Sequence, residues 1–132
     1  MWTILAGIFL ILHGLVHLLY AGQSRRLFEM RPGLAWPDGA WAFSRLIGNE
    51  STRLLATVLL ALAALGFAAG GLGLLFRGGW WRPAAASAAV LSMAIFALFW
   101  DGRLQAMHDK GWIGVLIDVV VLVIVLITKW PA

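Results

Sequence analysis

The chain contains no cysteine among its 132 residues. Disulfide bonds, thiolate catalysis and cysteine-ligated metals or clusters are therefore excluded. Charge is also scarce, because Asp, Glu, Lys and Arg together make up 12% of the residues. The sequence further lacks a glycine-rich phosphate loop, a nucleophile elbow and an HExxH zinc motif. These absences exclude the enzyme classes that such motifs identify.

Apolar residues, in contrast, make up 62% of the chain, against roughly 45–50% in a soluble domain. A chain of this length cannot bury so many apolar side chains in a soluble core. We therefore predict an all-α integral membrane protein with one domain, residues 1–132, and the lipid bilayer as its main partner. Its basic residues are scattered over segment ends, which fits contacts with the membrane surface rather than with nucleic acid.

Four apolar segments, at about 2–21, 51–76, 83–100 and 112–130, are long enough to cross a bilayer as helices. None shows the strict alternation of a barrel strand. Tryptophans mark the segment ends, as in an interfacial aromatic belt: Trp80, Trp81, Trp100, Trp112 and Trp130. The sequence thus predicts a bundle of four transmembrane helices.

The first connection is long and contains recurring hydrophobic residues. Within it, the segment at about 38–48 begins with Asp38 and Gly39 and ends at Gly48, which is typical of a short capped helix. We expect this helix to lie in the interface plane or to cover one end of the bundle.

Small residues recur at helix-packing spacing in three of the apolar segments. Such residues allow two helix backbones to approach closely, so they predict a compact bundle. They are Gly7 and Gly14 in the first segment, Gly66 and Gly70 in the second, and Ala85 and Ala89 in the third.

Polar side chains within the apolar segments fall at similar depths. His13 and His17 share one face of the first helix because they are spaced i, i+4. Counted from the end that carries the first and third loops, Asp118 lies about 9 Å deep in the fourth segment. Thr57 and Ser92 lie in the same half of the bilayer. The sequence therefore predicts a polar cavity in this half, with Asp101, His108, Glu50 and Arg45 at its mouth.

Three kinds of chemistry fit these residues. His13, His17 and Asp118 match a metal site with an open coordination position. The two histidines leave the same side of one helix, so a haem would need His108 or a partner chain as its opposite ligand. A carboxylate–imidazole pair suits proton transfer to a quinone or isomerisation of a lipid-like substrate, with His17 and Asp118 as the catalytic proton-exchanging residues.

A bound cofactor is expected to contact six residues: His13, His17, Thr57, Ser92, Trp100 and Trp112. The structural alternative is that each histidine only hydrogen-bonds a neighbouring helix. Asp118 would then reach the membrane surface or pair with Arg103 or Lys110. Both interpretations are compatible with a polar group inside a membrane, where an unpaired one is costly.

Two stretches carry a resemblance to a known family. Residues 14–18 (GLVHL) end the first segment, and residues 111–118 (GWIGVLID) open the fourth. In these stretches, and in length and helix count, the chain resembles small bacterial four-helix membrane proteins of the DoxX-like kind. The resemblance implies a four-helix bundle in a bacterial inner membrane, in a family sometimes associated with quinone-linked redox work. His17 and Asp118 lie within the matching stretches.

Basic residues are distributed unevenly between the two ends of the predicted bundle. The end with loops one and three carries Arg25, Arg26, Arg31, Arg45, Arg53, Arg103 and Lys110, and the other end carries Arg77, Arg82 and Lys129. Because cytoplasmic loops are enriched in Lys and Arg, loops one and three are predicted to be cytoplasmic.

Three hypotheses for the function remain open. The first is a buried site that binds a small apolar or quinone-like ligand in a membrane redox system; there His13 orients the ligand and the first loop acts as a lid. The second is a non-catalytic accessory subunit that packs against a larger membrane complex. The third is a transporter or channel component, which would need a homo-oligomer to enclose a path.

Overall fold

Four helices dominate the computed structural model, which describes residues 1–29, 33–34, 36–102 and 112–128. They are α1 (Trp2–Ser24), α2 (Ser44–Leu75), α3 (Trp81–Leu98) and α4 (Trp112–Leu122). The last helix continues as a π-helical segment, Val123–Thr128. These described ranges contain no strand, which agrees with the predicted helical class.

Length and composition distinguish the last helix from the others. Each of α1, α2 and α3 is long and apolar enough to cross a membrane, whereas Trp112–Thr128 is a shorter apolar helix. The prediction of a helical membrane protein is thus supported by three candidate spans. Positions 129 and 130, the predicted end of the fourth segment, lie outside the described residues.

The segment before the second span differs from the predicted interfacial helix at 38–48. Residues 36–39 and 41–43 form turns, and helix begins only at Ser44. Gly48 then interrupts the helix with φ of +79° and ψ of 165°, a conformation open to glycine because it has no Cβ. Residues 44–47 are therefore about one helical turn, and the long straight part of α2 starts after this kink, near the predicted position 51.

Glycine brings α1 and α2 into backbone contact. A Cβ on Gly14 would lie 3.0 Å from both the Ala64 carbonyl oxygen and the Phe67 Cβ. A Cβ on Gly71 would lie 2.6 Å from the Gly7 carbonyl oxygen. Side chains larger than hydrogen do not fit these spaces, so the small residues set the distance between the two helices.

The interface of α2 with α3 is also built from small residues. A Cβ on Gly66 would lie 2.8 Å from the Ala88 Cβ, and one on Gly70 would lie 3.1 Å from the Ala85 backbone nitrogen. The small-residue faces predicted for these two helices therefore meet each other. α3 in turn packs against α4, so the helices follow one another around the bundle in chain order.

Buried apolar side chains form two clusters at different levels of the bundle. One contains Tyr20 and Phe96, and the other contains Leu10 and Phe67. The His17 ring lies 5.9 Å from the Phe96 ring and 5.1 Å from the Phe67 ring, measured between centroids. The histidine face of α1 is therefore placed where the two clusters meet.

The described part of the first connection, residues 33–34 and 36–43, covers the end of the bundle where α1 ends; we call it the loop-one cap. The Gln23 side-chain amide donates a hydrogen bond of 3.0 Å to the Leu34 carbonyl. The Trp36 side chain is buried and belongs to the first apolar cluster. Covering one end of the bundle was one of the two positions predicted for this connection.

Charged side chains hold the loop-one cap to the ends of α1 and α2. The two Asp38 carboxylate oxygens accept from Arg26 Nη2 at 2.9 Å and from Arg53 Nε at 2.8 Å. On the α3 side, the Trp41 backbone N–H donates to the Trp100 carbonyl at 2.9 Å. The cap is thus attached to three of the helices.

Candidate functional site

A hydrogen bond joins the first and last helices inside the bundle. Nε2 of His13 on α1 lies 2.8 Å from Oδ1 of Asp118 on α4. Both residues are buried, and Asp118 is 0% exposed. The hydrogen bond holds one proton between an imidazole nitrogen and a carboxylate oxygen.

His17 is held by two hydrogen bonds that define which of its nitrogens carries hydrogen. Its Nδ1 lies 2.9 Å from the His13 carbonyl oxygen, which can only accept, so Nδ1–H is the donor. Its Nε2 lies 2.7 Å from Oγ of Ser92 on α3. The hydroxyl donates to a neutral imidazole and accepts from a protonated one. His17 can therefore gain or lose a proton without losing either partner.

Aromatic rings surround the two imidazoles. The Phe67 ring lies 4.7 Å from the His13 ring, and the Phe9 ring stacks parallel to His13 at 5.9 Å. Together with Phe96 beside His17, these rings fix the imidazole planes and exclude water. Phe67 and Phe9 were not predicted as site residues, although the i, i+4 spacing of Phe9 and His13 places both on one face of α1.

The second carboxylate oxygen of Asp118 lacks a hydrogen-bond partner in the part of the chain that the structure describes. An unsatisfied buried oxygen carries a desolvation cost, and native proteins satisfy nearly all such atoms. A ligand that donates a hydrogen bond, or a metal ion, would satisfy Oδ2. This atom therefore marks where a bound molecule would complete the site.

Three of the side chains also offer a donor set for a metal. One ligand atom from each of His13, His17 and Asp118 lies within 4.8 Å of the others. The Nδ1–H of His17 donates to a backbone carbonyl, an arrangement that commonly orients metal-binding histidines. Two imidazoles and one carboxylate suit zinc or another first-row metal. The haem alternative needs His108 or a partner chain as its opposite ligand, and His108 lies outside the described residues.

Thr57, predicted to line the polar cavity, makes no hydrogen bond to this cluster among the described residues. Its hydroxyl donates to the Arg53 carbonyl of the same helix at 2.8 Å, a common use of threonine inside helices. α2 instead contributes the apolar Phe67 ring. The polar groups of the site come from α1, α3 and α4.

Trp100 and Trp112, predicted to contact a cofactor, contact each other. Their ring centroids are 5.5 Å apart in an edge-to-face arrangement. Trp112 precedes Asp118 by six residues, or about 9 Å along the helix. The pair therefore lies nearer the helix end than the histidine–aspartate cluster does.

Two of the residues predicted at the mouth of the site, Arg45 and Asp101, line one surface pocket beside the loop-one cap. Glu50 is exposed. Below them, Trp36 packs 5.6 Å from Phe96, measured between ring centroids. The cap thus separates the mouth residues from the histidines.

Comparisons of the chain with protein-family models, with curated proteins and with solved structures find no match. A function for the chain is therefore inferred from the geometry of the buried cluster. That cluster consists of His13, His17, Ser92 and Asp118.

Proposed function

We propose that this chain is a four-helix membrane protein of the DoxX-like type that binds a quinone-like ligand at its His/Asp cluster, within a membrane redox system. The observation that carries the proposal is the buried Oδ2 of Asp118, which has no hydrogen-bond partner within the described part of the chain. A quinol hydroxyl is a neutral hydrogen-bond donor that can satisfy this oxygen without bringing a charge into the membrane.

The proposal includes a fourth membrane crossing. Trp112–Thr128 is apolar and would span roughly 25 Å at an α-helical rise, a little less than the hydrocarbon thickness of about 30 Å. Loops one and three would face the cytoplasm of a bacterial inner membrane, because they carry most of the basic residues.

Each side chain of the cluster has a separate role in this proposal. Asp118 and His17 are the proton-exchanging residues: Asp118 meets the ligand through Oδ2, and His17 exchanges its proton through the Ser92 hydroxyl, because both of its nitrogens are hydrogen-bonded. His13 orients the Asp118 carboxylate by binding Oδ1, which leaves Oδ2 for the ligand. The loop-one cap acts as a lid that keeps water from the imidazoles.

The first test is purification in mild detergent followed by the absorption spectrum, the metal content and the native mass. The proposal predicts a co-purifying quinone-like molecule in the wild type that is absent from Asp118→Ala. Glu50→Gln is the matched control, because it alters an exposed carboxylate outside the site. A wild-type protein that neither retains nor binds an added quinol would overturn the proposal and favour an accessory subunit.

A divalent metal is the second candidate occupant, because the ligand atoms of His13, His17 and Asp118 lie within 4.8 Å of one another. The same purified samples distinguish the candidates. A stoichiometric metal that is lost in His17→Ala would identify a metal site, whereas a bound organic molecule without metal would support the quinone-like ligand.

A further inference from the structure

A lateral groove runs between α1 and α4 on the membrane-facing side of the bundle. Its volume is about 420 Å³, within the range of roughly 300–1,000 Å³ for small-molecule sites. On α4 and its π-helical continuation the lining extends from Ile113 to Val125, or about 18 Å along the helix. The groove thus has the length for an extended hydrocarbon chain.

The groove and the buried cluster share their walls. Phe9 lines the groove and stacks on the His13 ring, and its side chain is 47% exposed. Ile117 also lines the groove and is the residue before Asp118 in the chain. A molecule in the groove therefore lies beside Asp118, the only buried carboxylate of the described helices, and the half-exposed Phe9 side chain lies between the groove and the His13 ring.

Polar groups beside the groove restrict its occupant. No charged residue of the described ranges lines it, and Asp118 Oδ2, which has no hydrogen-bond partner in those ranges, is an acceptor beside the middle of the groove. At the end near Val125, Arg82 contacts the Trp81 ring and donates to the Val125 carbonyl. A phosphate-headed lipid would place its head beside Arg82, whereas a hydroxyl-headed molecule would place its head beside Asp118.

We infer that the groove holds the single hydrocarbon chain of a neutral, hydroxyl-headed amphiphile, which enters sideways from the membrane with its head directed to Asp118 Oδ2. This inference rests on the proposed function and names the class of its ligand. Phe9 turns away from His13 as the head passes. The chain of the ligand supplies affinity through packing contacts with the groove, and the hydroxyl sets the position of the head at Asp118.

The test compares two probes on the full chain in lipid nanodiscs: a quinol with a long isoprenoid chain and the same quinol head without the chain. At equal concentration in the lipid, the chain should improve affinity by about tenfold, because it gains packing contacts with the groove that the chainless head cannot make. The two probes compete for the protein, one of them bound at a fixed concentration. Native mass spectrometry measures the bound fraction of each probe and so gives both affinities in the same lipid.

Two neighbouring valines provide a matched pair of variants. Val120 lines the groove and is 55% exposed, whereas Val119 does not line it and is 41% exposed. Val120→Trp should weaken binding of the chain-bearing quinol about tenfold and leave the chainless head unaffected. Val119→Trp should behave as the wild type for both probes.

The outcomes separate failure of this inference from failure of the proposed function. One outcome is equal binding of both probes that is unaffected by Val120→Trp but lost in Asp118→Asn. That result would overturn the assignment of the groove as the chain-binding site and would support the buried cluster as the head-binding site. Binding of the chain-bearing probe that is lost in Arg82→Gln and retained in Asp118→Asn would overturn the assigned head position. Binding of neither probe would overturn the proposed function itself.

Discussion

Polar atoms inside a membrane helix need partners, and the residues of the cluster supply them for one another. His13 bonds Asp118, and His17 bonds both its own helix and Ser92. One oxygen, Asp118 Oδ2, has no partner among the described residues, and the alternative partners Arg103 and Lys110 lie outside them. A purely structural cluster would gain from pairing this atom as well, so its lack of a partner favours a binding role.

Ser92→Ala removes the hydroxyl that faces His17 Nε2 and leaves that nitrogen without its 2.7 Å partner. We expect a loss of about 1–2 kcal/mol in the free energy of unfolding, the usual cost of an unsatisfied buried polar atom. Ser87→Ala is the control, because Ser87 is exposed on the same helix, and should change stability by less than about 0.5 kcal/mol. Thermal unfolding in detergent measures both, and equal stabilities of the two variants would contradict the role given to Ser92.

Depth along a helix could be predicted from the sequence, but rotation about the helix axis could not. The fixed rise per residue put His13, His17, Ser92 and Asp118 at one level, and the structure brings these four together. Thr57 lies at a similar level, yet its hydroxyl bonds its own helix. The helices are apolar around most of their circumference, so hydrophobic periodicity did not reveal which face of α2 points inward.

At the scale of elements, close helix packing is what positions the imidazoles. Gly14 lies between the two histidines in α1 and touches α2 at the Ala64 carbonyl and at Phe67. The predicted small-residue pattern identified these contacts because their cause is steric and local. The turns of the loop-one cap depend instead on bonds to distant residues, such as Trp41 to Trp100, and local sequence signals do not specify such bonds.

Gly14→Ala should destabilise the protein by about 1–3 kcal/mol, because its Cβ would lie 3.0 Å from backbone and side-chain atoms of α2. Gly114→Ala is the matched control: a Cβ there meets no atom within 4 Å, and alanine gains up to about 1 kcal/mol in helix propensity. We expect the two variants to change the free energy of unfolding in opposite directions, as measured by chemical or thermal unfolding. A stabilising Gly14→Ala would contradict the packing described for α1 and α2.

We predict that the attachment of the loop-one cap to the helices depends on Asp38, which accepts hydrogen bonds from Arg26 and Arg53. Asp38→Asn weakens both ion pairs, so amide hydrogen exchange in residues 36–43 should become faster. The loss of global stability should remain within about 1 kcal/mol, since these groups are partly exposed. Glu50→Gln serves as the control, and equal exchange rates in the two variants would contradict the attachment of the cap through Asp38.

At the scale of the whole molecule, the absence of cysteine makes the proposed topology directly measurable. Glu50 and Gly79 are exposed at opposite ends of α2, and a Cβ on Gly79 meets no atom within 4 Å. In intact bacterial cells, a membrane-impermeant thiol reagent should label Gly79→Cys and not Glu50→Cys. After the cells are opened, it should label both, and labelling of both in intact cells would contradict the membrane crossing of α2.

In the proposed complex, the ligand donates a hydrogen bond to the Asp118 carboxyl group inside the buried cluster. Infrared difference spectroscopy of the nanodisc-embedded protein, with and without the chain-bearing quinol, measures this response at the carboxyl group itself. We predict a carboxyl band that changes on binding in the wild type and is missing from the difference spectrum of Asp118→Asn. Identical difference spectra for the two proteins, or no binding to the wild type, would contradict it.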